Sequence, residues 1–248
     1  MNPRAMTLKR NCIIVPCYNE ARRLDPTTFL SFIRREASID ACFVDDGSTD
    51  ETPDLLRLLS DQAPGRIRFL HLERNSGKAE AVRAGILHVV NDYNAVGFMD
   101  ADLATPLEEM SRLAETRERE DAPAIIGSRV RRLGVHIDRT VFRHYTGRFF
   151  ATVVSLLFRL NAYDTQCGAK IFDARVAREI FRDPFLSKWL FDVELLLRLR
   201  QLPGDPLQRV QEIPLQAWHE RAGSKIKPSY IFRVPLELYK IQKKYRRI

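Results

Sequence analysis

Two aspartates, Asp100 and Asp102, follow a short apolar run and have the residue type and spacing of a metal site. In an extended backbone, side chains two residues apart point the same way and lie roughly 7 Å apart. Two carboxylates on one side are costly to keep ionised unless a cation neutralises them. Mg²⁺ and Mn²⁺ favour oxygen ligands and keep coordination positions for substrate phosphates. The spacing therefore predicts a metal–diphosphate site, with a polar turn after a strand as the alternative.

The composition indicates a globular chain with an acidic partner. Of the 248 residues, 45% are hydrophobic and 29% are charged, which argues against a disordered chain, and the net charge is +8. Such a charge favours nucleic acid, an anionic membrane surface or a phosphorylated substrate. No stretch approaches 18 uninterrupted apolar residues, so we expect no transmembrane helix. The N-terminal region has only a five-residue apolar run, which contains a proline, so we expect no signal peptide. The four cysteines lack metal-binding spacing and are expected to be buried free thiols, which favours an intracellular protein.

Alternating strand and helix patterns must position the two aspartates. Strands are predicted at Cys12–Val15, Ala41–Val44, Ile67–Leu72, Ala95–Met99 and Ala124–Gly127. Helices are predicted at Thr28–Arg35, Thr52–Ser60, Ala79–Val90 and from Pro106 to about Arg119. Pro16 is expected to close the first strand. The alternation predicts an α/β fold with a mostly parallel central sheet flanked by helices.

Polar clusters follow four of the predicted strands. They are Tyr18-Asn19-Glu20, Asp45-Asp46, Asn75 to Lys78, and Asp100 with Asp102. In sheets of this class, ligands bind outside the carboxyl ends of the strands. Since all four clusters fall at those ends, we expect them to converge on one site, and the combination is more specific than any single cluster.

The second half combines arginine-rich and apolar sequence. Six arginines lie between positions 129 and 148, and the apolar run 149–160 follows. A helix from about Arg139 to Leu160 would be basic at its start and apolar at its end, which suits an amphipathic helix at a bilayer interface. A core helix with a solvated basic end explains the same pattern, and the sequence leaves both open. The basic tail from Tyr239 to Ile248 is a second candidate for a membrane surface.

Two further carboxylates, Asp192 and Glu194, lie within the otherwise apolar helical run Trp189–Leu199. A carboxylate in apolar sequence is a functional candidate, although a cap or a buried ion pair is the commoner explanation. Val210–Leu215 is predicted to be another strand, and a cationic loop follows it.

Taken together, the motifs resemble the family 2 inverting glycosyltransferases, which have the GT-A fold. The resemblance rests on I-V-P-C-Y-N-E-A at 14–21, V-D-D-G-S-T-D-E-T at 44–52, N-S-G-K-A-E-A-V-R-A-G at 75–85 and D-A-D at 100–102. In the second half, D-T-Q-C-G-A-K-I-F at 164–172, W-L-F-D-V-E-L at 189–195 and W-H-E-R-A-G-S-K at 218–225 resemble the dolichyl-phosphate glucosyltransferase branch, which is related to the dolichyl-phosphate mannose synthases. Order and spacing match across nearly the whole chain, which makes the combination specific.

The resemblance implies roles for individual residues. A donor-binding set is implied at Pro16, Tyr18, Glu20, Asp46, Gly77, Lys78, Asp100, His219 and Lys225. Asp102, with Asp100, would hold Mg²⁺ or Mn²⁺ under the donor diphosphate, and Arg129 and Arg143 would meet an acceptor phosphate. It also implies one domain over residues 1–248, in which about 8–130 bind the nucleotide sugar, about 131–230 bind the acceptor and 231–248 form a basic tail.

The expected reaction is an inverting, metal-dependent transfer of a hexose, glucose from UDP-glucose, to a polyprenyl or dolichyl phosphate at the cytoplasmic face of a membrane. A phosphate acceptor is already a dianion near neutral pH, with its second pKa near ~6, and needs no base. A hydroxyl acceptor would need one, and Asp192 is the candidate. The alternatives are a soluble transferase acting on a hydroxyl group, a GDP-mannose-using enzyme, and a non-catalytic binder. Nucleic acid is not expected as a partner, since carboxylates at the cleft would repel its backbone.

Overall fold

The computed structural model describes residues 10–130, 133–134, 136–138, 141–221 and 233–246, and the side chains of 136 and 141–145 lie outside that description. The strands are β1 (Asn11–Cys17), β2 (Ile39–Asp45), β3 (Ile67–His71), β4 (Ala95–Phe98), β5 (Ala124–Ser128), β6 (His136–Ile137), β7 (Lys170–Asp173), β8 (Gln211–Pro214) and β9 (Ala217–Trp218). The helices are α1 (Pro26–Arg35), α2 (Thr52–Asp61), α3 (Lys78–Val89), α4 (Leu107–Arg119), α5 (Val141–Phe158), α6 (Ala174–Ile180), α7 (Phe191–Gln201) and α8 (Val234–Tyr245). A 3-10 turn at Pro206–Arg209 precedes β8.

A seven-stranded sheet in the order β3-β2-β1-β4-β7-β5-β8 forms the centre of the fold. The pairs β1–β2, β1–β4, β2–β3 and β5–β8 are parallel, so the predicted, mostly parallel α/β sheet is confirmed. The strands β1, β2 and β4 are mainly apolar and almost entirely buried because helices cover both faces of the sheet. Alternate residues of β1 enter opposite cores: Ile14 packs with α3, α5 and α7, whereas Ile13 packs with α1, α2 and α4.

The sequence patterns did not predict β7. It lies antiparallel between β4 and β5, with Phe98 opposite Lys170 and Ile126 also opposite Lys170. The short helix α6 follows it directly and was not predicted either. A four-residue strand that begins with a lysine lacks the apolar run by which the other strands were recognised.

Pro16 does not close β1, as we had expected, because the strand runs on to Cys17. The pairing of β1 with β4 ends at Ile14 and Phe98, while the pairing with β2 continues through Pro16 and Val44. Beyond Ile14, therefore, β1 has a strand neighbour on one side only, and a proline without an N–H is tolerated on a free edge.

Helix α5, Val141–Phe158, lies within the helix predicted from about Arg139 to Leu160. Its apolar residues are divided between buried and exposed positions. Ala151, Val154 and Phe158 are buried, whereas the side chains of Phe149 and Leu156 are 74% and 77% exposed. No helix in the described parts of the chain is both long and apolar enough to cross a bilayer. The four cysteines are free and buried, as predicted.

Candidate active site

A cavity of about 630 Å³ opens at the carboxyl ends of β1, β2 and β4. It is where a sheet of this class binds its ligands. Ten of the predicted site residues line it, namely Pro16, Tyr18, Glu20, Asp46, Gly77, Lys78, Asp100, Asp102, Arg129 and Asp192. The cavity is also lined by Arg23, Gln166, Trp189, Trp218 and Arg221. The structure thus brings residues from both halves of the chain to one site.

The loops after β1 and β2 hold one another through hydrogen bonds between backbone and side chain. The Asn19 N–H donates to the Ser48 hydroxyl (2.9 Å), and the Asn19 amide oxygen accepts from the Thr49 N–H (2.8 Å). The Glu20 N–H donates to the Thr52 hydroxyl (2.8 Å). Asn19 has a φ of +50°, which asparagine tolerates better than most residues. This reciprocal bonding fixes the strand end that carries Tyr18 and Glu20.

Asp46 fastens the loop between β3 and α3 to the same edge. Its two carboxylate oxygens accept from the Ser76 N–H (2.7 Å) and the Gly77 N–H (2.8 Å). Burial raises the pKa of Asp46, and these two hydrogen bonds oppose that rise. Gly47 has a φ of +64°, and a Cβ there would lie 2.6 Å from the Asn75 nitrogen, so only glycine lets the two loops approach this closely.

Asp100 is paired with the Lys78 ammonium at the start of α3. Burial opposes ionisation of Asp100, but Lys78, together with Arg129 and Lys170, lowers the pKa of the carboxyl group. On the opposite side lies Gly168, where any Cβ would overlap the Asp100 carboxylate. Asp100 is therefore held between a cation from one half of the chain and a bare backbone from the other.

Asp102 is aimed into the cavity by a tight turn. One of its oxygens accepts from the Ala104 N–H (3.0 Å), and the intervening Leu103 has a φ of +54°. The other oxygen lies 3.3 Å from the Arg23 guanidinium, whose Nε is 3.7 Å from Glu20. Within the described residues no three His, Cys, Asp or Glu side chains cluster as a complete metal site.

Arg129 is engaged by Asp164, a partner that the sequence analysis did not assign. Its Nε and one Nη donate to the two Asp164 oxygens at 2.7 and 2.8 Å, and its backbone N–H donates to the same carboxylate. Burial opposes ionisation of Asp164, but Arg129 lowers the pKa of that carboxyl group to about 2. The guanidinium also lies 5.6 Å from the ring centre of Trp218. Two of its five N–H groups are committed to Asp164.

Asp192 faces the cavity from the first turn of α7 and pairs with a buried lysine. The Lys170 side chain is 0% exposed, and its Nζ lies 2.6 Å from Asp192 and 2.5 Å from the Cys167 carbonyl oxygen. Burial raises the pKa of Asp192, although Lys170 and Lys78 oppose that rise. Glu194 instead accepts hydrogen bonds from the Arg198 guanidinium (2.8 Å) and the Tyr245 hydroxyl (2.9 Å), which indicates a structural role.

Of the remaining three predicted site residues, only His219 has a described side chain, and it does not line the cavity. His219 is anchored through its N–H to the Ala104 carbonyl (2.8 Å), and its ring lies 3.0 Å from Asp138. Arg143 lies on α5, but its side chain is outside the described residues, as is the whole of Lys225. The residues that the sequence analysis missed, Arg23, Asp164 and Lys170, are charged partners whose only sequence signal is a charge inside or beside a motif.

The sheet order, the acidic turn after β4 and the cavity above it define a glycosyltransferase of the GT-A class. The family model described as glycosyl transferase family 2 matches residues 12–181, and this chain belongs to that family. A dolichyl-phosphate beta-glucosyltransferase of Trichomonas vaginalis is 32% identical over an alignment of 244 positions, which covers 92% of this chain and 69% of the relative. The enzyme of that name from Saccharomyces cerevisiae is 32% identical over an alignment of 234 positions, which covers 86% of this chain and 68% of the relative.

Solved structures share the fold. Glucosyl-3-phosphoglycerate synthase from Mycobacterium tuberculosis, in complex with Mn²⁺, UDP-glucose and phosphoglyceric acid, superposes with a TM-score of 0.69. The alignment covers 94% of this chain and 79% of that chain at 15% identity. The same synthase bound to UDP alone gives a TM-score of 0.67. The predicted α/β GT-A fold and the predicted enzyme class, a glycosyltransferase, are confirmed.

Proposed function

We propose that the protein transfers glucose from UDP-glucose to a polyprenyl or dolichyl phosphate in a metal-dependent, inverting reaction. The observation that carries the proposal is one cavity that joins the acidic turn at Asp102 to the arginines Arg129 and Arg221. Dolichyl-phosphate beta-glucosyltransferases at 32% identity support the acceptor and the sugar. The structurally similar synthase with bound Mn²⁺ and UDP-glucose supports the donor and the metal.

The residues present fit a divalent cation held by Asp102. Its carboxylate lines the cavity, and one of its oxygens already contacts a cationic group, the Arg23 guanidinium. A carboxylate of this kind, together with diphosphate oxygens, is a usual binding mode for Mg²⁺ or Mn²⁺. When bound, the metal neutralises charge that develops on the leaving diphosphate. Asp100 is the weaker candidate metal ligand because its carboxylate is already paired with Lys78. We therefore assign Asp100 and Lys78 together to the binding of the donor nucleoside.

The donor nucleoside is assigned to the wall formed by Tyr18, Glu20, Asp46 and the loop at Gly77. Hydrogen bonds between the loops hold these residues in place before any ligand binds, so little ordering cost is left for binding. Lys78 lies at the start of α3, where the helix dipole and its own charge both favour a phosphate or an acidic partner. Pro16 completes that wall.

The acceptor phosphate is assigned to Arg129, with Arg143 from α5 as the second predicted contact. Arginine presents its donors in a fork that matches phosphate oxygens. The bond with Asp164 leaves three of the five Arg129 N–H groups uncommitted to that carboxylate. With a phosphate dianion as nucleophile, no protein base has to remove a proton.

A hydroxyl acceptor is the second candidate, because Asp192 lies on the cavity wall and is held in place by Lys170. A carboxylate positioned in this way could accept the proton of an attacking hydroxyl. Its raised pKa would bring it closer to the working range of a general base. Asp192 is therefore the residue whose role separates the two acceptors.

We assign the protein to an anionic membrane surface. Phe149 and Leu156 on α5, with Leu236 and Tyr239 on α8, are exposed apolar side chains. Lys240, Lys243 and Lys244 on α8 are exposed as well and supply the positive charge that an anionic lipid surface attracts.

The two halves of the chain share one sheet through β7, which supports a single domain.

Transfer assays with purified protein test the proposal. UDP-glucose and GDP-mannose are each supplied with Mg²⁺ or Mn²⁺, with and without a polyprenyl phosphate. We expect transfer from UDP-glucose only when lipid phosphate and metal are both present. Asp102→Ala should lower the rate at least about 100-fold, because a positioned charge at the leaving group is lost. An unchanged rate in Asp102→Ala would refute the metal site.

Asp192→Asn distinguishes the acceptors in the same assay. If the acceptor is a phosphate, we expect a modest loss, within about tenfold, that does not change with pH above the second phosphate pKa near ~6. A loss of about 100-fold or more is the magnitude of a missing general base and would favour a hydroxyl acceptor. UDP-glucose binding without any lipid-dependent transfer would point the same way.

A further inference from the structure

Arg23 lies between two carboxylates at the mouth of the cavity. Its Nη2 is 3.3 Å from Asp102 and its Nε is 3.7 Å from Glu20. The turn that carries Arg23 is fixed, because the N–H groups of Arg23 and Leu24 both donate to the Glu20 carbonyl oxygen at 2.8 Å. The backbone therefore holds the guanidinium within reach of both acidic side chains.

The contacts that Arg23 makes with Asp102 and Glu20, at 3.3 and 3.7 Å, are longer than those in two other ion pairs at the cavity. Arg129 meets Asp164 at 2.7 and 2.8 Å, and Lys170 meets Asp192 at 2.6 Å. The side chains of Arg23 and Asp102 are also 30% and 26% exposed, whereas Lys170 is fully buried. Solvent screens a pair of this kind, so it contributes little to stability and is easily exchanged. The Arg23–Asp102 pair is therefore better suited to open than the Arg129–Asp164 and Lys170–Asp192 pairs.

We propose that Arg23 competes with the divalent cation for Asp102 and thereby makes metal binding depend on the donor diphosphate. The inference rests on the proposed metal site at Asp102. A divalent ion that binds the Asp102 oxygen in contact with Arg23 must displace the guanidinium from that oxygen. Glu20 is the second carboxylate within reach, so the displaced Arg23 keeps an acidic neighbour and is not left as an uncompensated charge.

The charges explain why the nucleotide should relieve the competition. Without a diphosphate, Asp102 is shared between Arg23 and the metal, and the metal also feels repulsion from the neighbouring guanidinium. A diphosphate adds negative charge and further oxygen ligands, which together outweigh the loss of the Arg23–Asp102 contact. By reciprocity, the metal must raise nucleotide affinity by the same factor as the nucleotide raises metal affinity.

The test is a titration with Mn²⁺, followed by the loss of the free-ion electron paramagnetic resonance signal, in the absence and presence of UDP. The variant Arg23→Met removes the charge and keeps much of the side-chain volume. Arg22→Met is the matched control, because it removes the same charge from the adjacent, exposed residue. Arg23→Lys keeps the positive charge, so this variant tests whether competition with Mn²⁺ persists when the charge is retained. Circular dichroism verifies that each variant is folded.

Without UDP, we expect Arg23→Met to bind Mn²⁺ roughly two- to fivefold more tightly than the wild type, the range expected when a partly exposed ion pair no longer competes. Arg22→Met should change the affinity less than about twofold, since long-range effects between exposed charges are screened. The gain in Mn²⁺ affinity caused by UDP should be smaller in Arg23→Met than in the wild type. Mn²⁺ affinity in Arg23→Met that equals or falls below that of Arg22→Met would overturn the proposal.

Asp102→Asn separates this inference from the proposed function. We expect it to weaken Mn²⁺ binding in the presence of UDP by at least about tenfold, because the anionic ligand is lost. Unchanged Mn²⁺ binding in Asp102→Asn would refute the metal site itself. Weakened binding in Asp102→Asn, together with no gain in Arg23→Met, would leave the metal site standing and reject Arg23 as its competitor.

Discussion

The cavity has two walls that are built in different ways. The loop wall, formed by the loops after β1, β2 and β3, is held by hydrogen bonds between backbone amides and side chains, of which Asp46 to Ser76 and Gly77 are examples. The ion-pair wall, formed by Arg129, residues 164–170 and Asp192, is held by Arg129–Asp164 and Lys170–Asp192. One wall depends on close backbone approach and the other on charge balance.

This difference indicates how each wall responds to change. A backbone amide bound to a carboxylate depends on local chain geometry, so the loop wall should be sensitive to added volume. A buried ion pair adds little net stability, but removing one partner leaves the other charge uncompensated. The ion-pair wall should therefore be sensitive to the loss of a single charge and to acid.

The largest effect on stability is expected from Asp164→Asn in the ion-pair wall. This change leaves the buried Arg129 guanidinium without its bidentate carboxylate and should cost roughly 3–5 kcal/mol of unfolding free energy. Urea denaturation measures the loss. The control is Asp54→Asn, which breaks an exposed pair with Arg57 and should cost about 1 kcal/mol or less. Equal losses in the two variants would contradict the distinction between the walls.

Gly47→Ala tests the loop wall. A Cβ at this position would collide with backbone atoms of Arg74 and Asn75, and φ is +64°, so we expect a loss of roughly 2–4 kcal/mol. Gly65→Ala is the matched control because its φ is +78° but no atom lies within 4 Å of the added Cβ. It should lose only about 1–2 kcal/mol, the cost of left-handed backbone alone. If both variants unfold at the same urea concentration, close approach is not what constrains the loop.

Acid should weaken the ion-pair wall in a defined pH range. Because Arg129 lowers the pKa of Asp164 from its ordinary value of 3.8 to about 2, the folded state binds this proton less readily than the unfolded state. The resulting stability, roughly 2 kcal/mol, is present above pH 3.8 and is lost as the pH falls towards 2. Thermal unfolding of wild type and Asp164→Asn between pH 5 and pH 2.5 measures it. The difference in stability between the two proteins should become smaller in acid. A difference that grows as the pH falls would contradict a lowered pKa for Asp164 in the folded state.

The smallest effect is expected from His219→Ala, outside both walls. The ring of His219 pairs with Asp138 at 3.0 Å, and both side chains are exposed, so its loss should change stability by less than about 1 kcal/mol. The predicted donor role of His219 is tested separately by titration with UDP-glucose. A tenfold or greater loss of affinity would support that role, and unchanged affinity would remove His219 from the donor site.

The two walls also differ in how far the sequence predicts them. The loop wall follows strands that are short apolar runs, and each polar cluster lies within a few residues of its strand, so local patterns were sufficient. The ion-pair wall joins residues 35 positions apart for Arg129–Asp164 and 22 apart for Lys170–Asp192. Nothing local indicates which charges meet across such distances. Strand β7 was missed because its first residue, Lys170, has the charge of a surface residue. Lys170 can be buried in the sheet because Asp192, far away in sequence, neutralises it.

The antiparallel strand β7 has a consequence for how the chain can be divided. In the described sheet, β5 and β8 connect to the other strands only through β7, which pairs with β4 on one side and β5 on the other. A fragment that stops before Lys170 would leave the facing edges of β4 and β5 unpaired, and such edges promote aggregation. A nascent chain therefore cannot join β5 and β8 to the rest of the sheet until β7, at Lys170–Asp173, has been synthesised. Truncation near residue 130 is expected to give an aggregating fragment rather than a separate nucleotide-binding unit.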